Sequence, residues 1–256
     1  MSFNIRHGQA KDGENHWDKR KQMVFDVIRN YSPDAVGLQE AKYFQIEQLL
    51  EALPEYDFVG CSREGKDTQE GEFSCIFYKK AKFKASDVET FWLSDTPNVP
   101  SKSWGNKPLR ICTKVMFTDK QTQQSFYLYN THFDHKSTLS RINSAELMVR
   151  KMKAGKPTIP LVFMGDLNAQ PTSKPVLYLQ ENNTMPLVDS HFVLHPDDKE
   201  TGTFSGFKFN EFNNKIDYIF IEKNTADILQ SEIIRYSVNQ RYPSDHFPVY
   251  VELQFR

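Results

Sequence analysis

Apolar and polar positions along this chain follow two interleaved rhythms. Phe3 and Ile5 alternate with Ser2, Asn4 and Arg6, the period-two pattern of a half-buried strand. From residue 17 to residue 31 the rhythm changes. Met23, Val24, Val27 and Ile28 recur at helical spacing, and Pro33 closes the segment. A short apolar strand over 35–38 and a second helix over 43–53 follow. Strands are predicted over 73–79 and 83–92, then a broken polar stretch over 94–108 that carries Trp104 and keeps neither period. Two strands over 110–118 and 125–132 are joined by the polar turn 119–123, and a helix spans 139–153. Residues 161–164 are uniformly apolar, the mark of a strand buried on both faces. A helix over 173–181 precedes three last strands over 216–221, 228–236 and 247–253.

Strand–helix–strand units thus sit beside direct strand-to-strand hops, which predicts mixed rather than purely parallel sheets. No repeat, low-complexity tract or shift of composition divides the 256 residues, so one α/β domain over 1–256 is expected. A chain of this length with 39% hydrophobic and 13% aromatic residues has ample material for a core, which excludes disorder as its main state. The 32 basic and 33 acidic residues leave a net charge of −1, which argues against gripping duplex nucleic acid by overall charge and leaves room for a local basic patch. No apolar run reaches the about 18 residues of a membrane helix. The first residues lack the apolar stretch of a secretory leader, yet the chain opens so abruptly on a strand that an upstream segment is expected, and the compartment stays open. Cys61, Cys75 and Cys112 are odd in number, far apart and without metal-binding spacing, so free thiols are expected. A monomer is the expected oligomeric state.

Chemistry gathers where strands end. Residues 35–38 run into Gln39 and Glu40; residues 161–164 run into Gly165, Asp166, Leu167 and Asn168; Asn130 runs into Thr131 and His132; Ser244, Asp245 and His246 directly precede the last strand. Acids and imidazoles at the mouths of apolar strands stay partly solvated yet close together, and binding sites of α/β sheets lie at such ends. Each also has a plain structural reading. Glu40 can cap the following helix, Asp166 and Asn168 can form an Asx-turn, Asp217 can be a structural ion pair within its strand, and Asp245-His246 can be a solvated turn.

Taken as an ordered series, Asn4, Glu40, His132, Gly165-Asp166-Leu167-Asn168, Ile216-Asp217-Tyr218 and Ser244-Asp245-His246 resemble the endonuclease/exonuclease/phosphatase (DNase I-like) superfamily. The resemblance runs from residue 3 to residue 251 and is specific for fold and reaction type but not for substrate. It implies a four-layer α/β/β/α sandwich of two packed mixed sheets, and hydrolysis of a phosphoester with Mg²⁺ or Mn²⁺. Oxygen-rich donors suit such hard cations independently. By the resemblance, Glu40 is the main metal ligand, with Asn4 and Asp245 as ligands or neighbours of the ion. Asp166 activates the water, Asn168 holds a phosphate oxygen, and His246, its ring fixed by Asp217, stabilises the growing charge. His132 faces the leaving group. Arg110, Arg141, Asp134 and Trp104 are further candidates for substrate contact or for the surroundings of the metal, with ordinary surface or salt-bridging roles open for the two arginines. The run from His132 to His135 also resembles part of the zinc-binding run of metallo-β-lactamase-like hydrolases, but Asn130 stands where that run needs a histidine.

Three stretches are expected to ring the site: 12–17, 94–108, and 195–214 with Phe204, Phe207, Phe209 and Phe212. Their aromatics can stack a base or merely pin loops, and Lys102, Lys107, Lys208 and Lys215 can contact phosphate or, as preferred for most, face solvent. The first expectation is a nuclease-like phosphodiesterase acting on nucleic acid, nucleotide or a small or lipid phosphodiester. A phosphomonoesterase or a lipid or sugar head-group phosphodiesterase is the alternative, and a non-catalytic phosphate-ligand binding module is the reading from another class.

Overall fold

The four residues Leu161, Val162, Phe163 and Met164 show how the fold is layered. In the computed structural model, which describes residues 1–155, 158–209, 212 and 214–256, Leu161 and Phe163 face a cluster containing helical residues, while Val162 and Met164 face another sheet. Both faces are buried, as uniform hydrophobicity requires.

The chain runs β1 (Ser2–Asn4), α1 (Trp17–Tyr31), β2 (Ala35–Gln39), α2 (Tyr43–Ala52), β3 (Tyr56–Val59), β4 (Ile76–Lys79), β5 (Phe83–Trp92), β6 (Ile111–Asp119) and β7 (Ser125–His132). It continues through α3 (Thr138–Ala154), β8 (Leu161–Asp166), α4 (Lys174–Glu181), β9 (Leu187–Asp189), α5 (Ser190–Leu194), β10 (Asp217–Glu222), β11 (Ala226–Ile233) and β12 (Val249–Phe255). One six-stranded sheet has the order β11-β12-β1-β2-β4-β3 and the other β5-β6-β7-β8-β10-β9. Each is antiparallel except for one parallel pair, β1 with β2 and β7 with β8, so both are mixed. Val24, Val27, Ile28, Ile46 and Leu49 pack α1 and α2 against Phe3, Val36 and Leu38. On the opposite side Ala145, Met148, Met152, Val176 and Leu179 pack α3 and α4 against Tyr129, Phe163 and Phe220. The result is the expected α/β/β/α sandwich.

Between the sheets one polar contact interrupts the apolar seam. Asn130 Nδ2 donates to the carbonyls of Leu38 and Cys75 at 2.9 and 2.8 Å, and Gln39 Nε2 donates to Asn130 Oδ1 at 2.6 Å. A Cβ on Gly37 would stand 2.7 Å from that Oδ1, so glycine makes the contact possible. Asn130 is therefore a tie across the sandwich.

Most predicted elements appear within two residues of their expected limits. The strand predicted over 73–79 starts only at Ile76, because Phe73 leaves it to bridge Ala41 and Ser62. β3, β9 and α5 have three to five residues each, too few to display a period, and the sequence reading does not contain them. Cys75 and Cys112 are buried and all three thiols are free. No described helix is long and apolar enough to cross a membrane.

Candidate active site

The two parallel pairs end on one rim. Asn4 lies beside Gln39 at the end of β1 and β2, and His132 lies beside Asp166 at the end of β7 and β8. Arg6, Glu40 and Asn168, just beyond these ends, all take left-handed backbone, with φ of 55°, 59° and 47°. Non-glycine residues adopt that region at a cost on the order of 1 kcal/mol or more each, which the surrounding structure must hold in place. Gly165 has φ 146°, and a Cβ there would meet the Thr131 carbonyl oxygen at 2.0 Å. Only glycine lets β8 run this close to β7, and that approach sets Asp166 against His132.

Asp166 is the hub. Its Oδ2 accepts from Asn4 Nδ2 at 3.0 Å and lies 3.3 Å from His132 Nε2 and 3.8 Å from His246 Nε2, while Oδ1 accepts the Asn168 amide at 2.9 Å. Burial first, then repulsion from Asp217, raises its carboxyl to about 7. Asp217 Oδ2 lies 2.9 Å from His246 Nδ1, and Thr203 Oγ1 accepts from the Asp217 amide, fixing the carboxylate that fixes the ring. Burial disfavours the His246 imidazolium, but Asp217 and Asp166 outweigh it and raise the ring to about 10. His132 goes the other way: burial, then the positive Arg110 and His246, hold it well below its ordinary value, so it is neutral. Ligand atoms of Asp166, Asp217 and His246 all fall within 4.8 Å of one another, close enough for an ion. The protonated His246 ring already supplies positive charge there.

The second acidic group lies across Asn4. Glu40 Oε1 accepts from Asn4 Nδ2 at 3.3 Å and Oε2 from the His7 amide at 3.1 Å. Burial pushes Glu40 up, but His246, the His7 amide, Arg6 and Asn4 together outweigh it and hold the carboxyl below its usual value. Asp245 is raised by burial and by its neighbour Glu40. Arg6 reaches 3.9 Å from Glu40 and 3.8 Å from Asp245 but makes its close bonds to Asp12, at 3.0 and 3.1 Å. Two adjoining carboxylates with no cation in hydrogen-bond contact are a donor set of hard oxygens that fits Mg²⁺ or Mn²⁺. Asn4 stands next to the expected ligand Glu40. Its Oδ1 accepts the Arg6 amide at 3.0 Å and its Nδ2 points at both acids, so it bridges Glu40 to Asp166 instead of offering an oxygen.

Arg6, Glu40, His132, Asp166, Asp245 and His246 line a cleft of about 860 Å³ together with Asn168, Phe204, Phe207, Arg110, Lys107 and His135, while Asn4 and Asp217 stand behind that lining. Of the expected rings of loop, the ends near Asp12, Lys107 and Phe207 reach it. Asn210, Glu211 and Asn213 of the third loop lie outside the described residues. Besides Asn4 and Asp217, three candidates do not line it. Trp104 packs on the outer core with its indole donating to Asp95 at 2.9 Å. Arg141 donates to the Asp134 carbonyl and to Thr138, stapling the start of α3. Asp134 is buried there too, accepting from the amides of Lys136 and Ser137. Phe209 stacks on Tyr242 and Phe212 packs at a tilt on Phe247, so both pin loops. Lys215 is buried, 3.4 Å from Asp189, rather than solvated. The sequence reading missed Arg6, Arg63 and Glu72 of the lining. Arg6 carried a signal, since it follows Asn4 in the same motif. Arg63 and Glu72 lie between β3 and β4, where no periodicity flags them.

A two-sheet sandwich with acids, amides and imidazoles at one rim defines a class, the phosphoester-cleaving α/β sandwiches. The Endonuclease/Exonuclease/phosphatase family model matches residues 1–246, and the chain belongs to that family. A mannosyl-6-phosphatase of Bacteroides thetaiotaomicron shares the fold with a TM-score of 0.91 and 32% identity over 99% of this chain and 98% of that one. A Bacteroides vulgatus member of the family gives a TM-score of 0.91 and 32% identity over 100% and 97%. Among curated proteins, Rattus norvegicus nocturnin is 23% identical over 93% of this chain but only 59% of its own length.

Proposed function

We propose that the protein is a divalent-cation-dependent phosphomonoesterase that acts on a small polar substrate, with a carbohydrate phosphate preferred. The observation that carries the hydrolytic part is the setting of Asp166. It is a buried carboxylate with an acid constant near neutrality, in reach of Asn4, His132 and His246. A base tuned near the working pH can take a proton from water at little cost. The preference for a monoester rests on the 32% identity to the mannosyl-6-phosphatase over nearly both chains.

Asp166 orients the attacking water and receives its proton as the water oxygen bonds to phosphorus. The bond from phosphorus to the leaving oxygen breaks in line, and that oxygen is protonated from solvent. His246, held by Asp217, faces the charge that grows on the phosphoryl oxygens. Asn168 Nδ2 donates one proton to the Phe133 carbonyl at 3.1 Å and keeps a second for a phosphate oxygen. Glu40 and Asp245 would hold the divalent cation, which when bound supplies the charge neutralisation that phosphoryl transfer needs.

A phosphodiester substrate is the second reading. Phe204 and Phe207 line the cleft, where they can stack a base. It is also supported by a 21% identical relative over 93% of this chain, the Candida glabrata 3'-5'-exoribonuclease subunit Ccr4, of whose length this chain spans 33%. Turnover of p-nitrophenyl phosphate, mannose 6-phosphate and bis(p-nitrophenyl) phosphate with Mg²⁺ or Mn²⁺, with and without chelator, separates the readings. Chelator-sensitive release of phosphate from the monoesters is the expected result. Hydrolysis of the diester alone would overturn the preference, and no turnover by a folded protein that Asp166→Asn leaves unchanged would overturn both.

A further inference from the structure

On the flank beyond His132 the cleft narrows into a recess lined by Glu40, Arg63, Glu72, Ser74, Arg110 and His132. Its free volume is about 10 Å³, room for one oxygen atom and not for a carbon chain. Two guanidiniums meet there from different parts of the chain. Arg110 enters just ahead of β6. Arg63 comes from the segment between β3 and β4, its backbone pinned by Glu72 through its amide at 3.0 Å and by the Trp92 indole on its carbonyl at 2.6 Å.

The two differ in how their charge is answered. Arg63 donates to Glu72 at 2.6 Å and lies 3.5 Å from Glu64. Arg110 is only 6% exposed, and no described carboxylate comes within ion-pair distance of it. Its Nη2 donates to His135 Nδ1 at 3.1 Å, and its Nε has no partner at all. A guanidinium only donates, so that ring nitrogen is an acceptor and His135 is neutral; burial and Arg110 itself lower its basicity. Arg63 Nε makes no hydrogen bond either, although it lies 3.5 Å from Glu64 Oε1. Glu72, Asp166 and Glu40 act on Arg110 only from beyond ion-pair distance, and a buried guanidinium donor left unmet invites an oxyanion. The third arginine of the lining, Arg6, is matched by Asp12.

We propose that Arg63 and Arg110 form a clamp that seats one unesterified oxygen of the substrate phosphate, selecting phosphomonoester dianions over diesters. A monoester presents three terminal oxygens and two negative charges, so one oxygen can enter the recess while the others face His246 and the cation site. A diester has a substituent on one of those oxygens and one charge fewer. This inference rests on the phosphomonoesterase reading above and supplies its selectivity.

The test compares p-nitrophenyl phosphate with methyl p-nitrophenyl phosphate, which share a leaving group and differ by one methyl. It uses the wild type, Arg110→Met and Arg63→Gln at saturating Mg²⁺, with binding of inorganic phosphate measured by calorimetry. Arg110→Met is expected to lower kcat/KM on the monoester by about 10²-fold, at least about tenfold more than on the diester, and to weaken phosphate binding in parallel. Arg110→Lys restores part of both, as charge returns without the fork. If Arg110→Met melts early, Arg63→Gln carries the comparison, since its side chain is partly exposed. Equal losses on both substrates, or no loss on either, overturn the clamp. A wild type that cleaves only the diester overturns the phosphomonoesterase reading instead. The selectivity then falls with it, and the phosphate-oxygen seat alone stands if Arg110→Met weakens phosphate binding and falls if it does not.

Discussion

Arg20 carries no candidate chemistry, yet the site depends on it. Its side chain is buried and donates to four main-chain carbonyls: Asn15 at 2.8 Å, Ile5 at 2.7 Å, Arg6 at 2.9 Å and Pro243 at 2.8 Å. Its guanidinium lies 5.2 Å from the Trp17 ring and 5.6 Å from that of Phe207. Those carbonyls belong to the segment leaving β1 and to the residue just before Ser244, Asp245 and His246, so one side chain fixes both banks of the cleft. Arg20→Met removes four charge-assisted bonds at about 1.5 kcal/mol each, and its methylenes recover about 2 kcal/mol by burial. The expected net loss is about 4 kcal/mol. For a domain of this size about 2–4 °C accompanies each kcal/mol, which gives a fall in Tm of roughly 8–16 °C. Urea unfolding and calorimetry measure it. At a temperature where the variant is still folded, kcat/KM should also fall between about tenfold and 100-fold, because displaced banks misplace reacting groups. Arg20→Lys should fall between the two, since an ammonium cannot reproduce the fork. A Met variant melting within about 3 °C of wild type would refute the reasoning.

Other expectations follow from single contacts. Glu40→Gln should move the midpoint of Mg²⁺ activation upward by at least about tenfold, since a neutral amide binds a hard cation poorly; an unchanged midpoint would show that Glu40 is not a ligand. Gly165→Ala drives a methyl into the Thr131 carbonyl at 2.0 Å from a backbone at φ 146°, so a loss of about 3 kcal/mol or outright misfolding is expected in thermal melts. A wild-type melt would contradict that geometry. His132 is neutral when folded and has an ordinary pKa of about 6.5 when unfolded, so the folded state binds fewer protons. Its contribution is complete above about pH 6.5 and is lost as pH falls, at no more than about 1.4 kcal/mol per pH unit. Urea midpoints of His132→Gln should therefore decline less steeply below about pH 6.5 than those of wild type, and parallel declines would refute the assignment.

What the sequence discloses follows a physical division. Glu40, Asp166, Asp217 and His246 were legible because strand ends are marked by an abrupt change from apolar to ionisable residues. The layered fold was legible because residues 161–164 have no polar face to turn outward. Asn4 was found, but whether it ligates or neighbours the ion was not legible, since only its surroundings decide which end of an amide points inward: here the Arg6 amide takes its oxygen. Arg141 and Asp134 sit in a motif-rich run, yet they brace the turn that leads into a helix, which proximity in sequence cannot distinguish from a place in the cleft. Arg63 and Arg110 meet only in three dimensions, across a segment with no period.

The tie made by Asn130 has a consequence for how the molecule works as a machine. Glu40 and Asn4 arrive on one sheet, Asp166 and Asp217 on the other, and His246 spans the gap to Asp217. The reaction centre therefore exists only while two separately hydrogen-bonded slabs stay in register, and turnover is a gauge of their alignment. A slip along the seam too small to unfold either slab would extinguish activity first. Catalysis should thus be the earliest casualty of pressure, mild denaturant or heat, ahead of any loss of secondary structure.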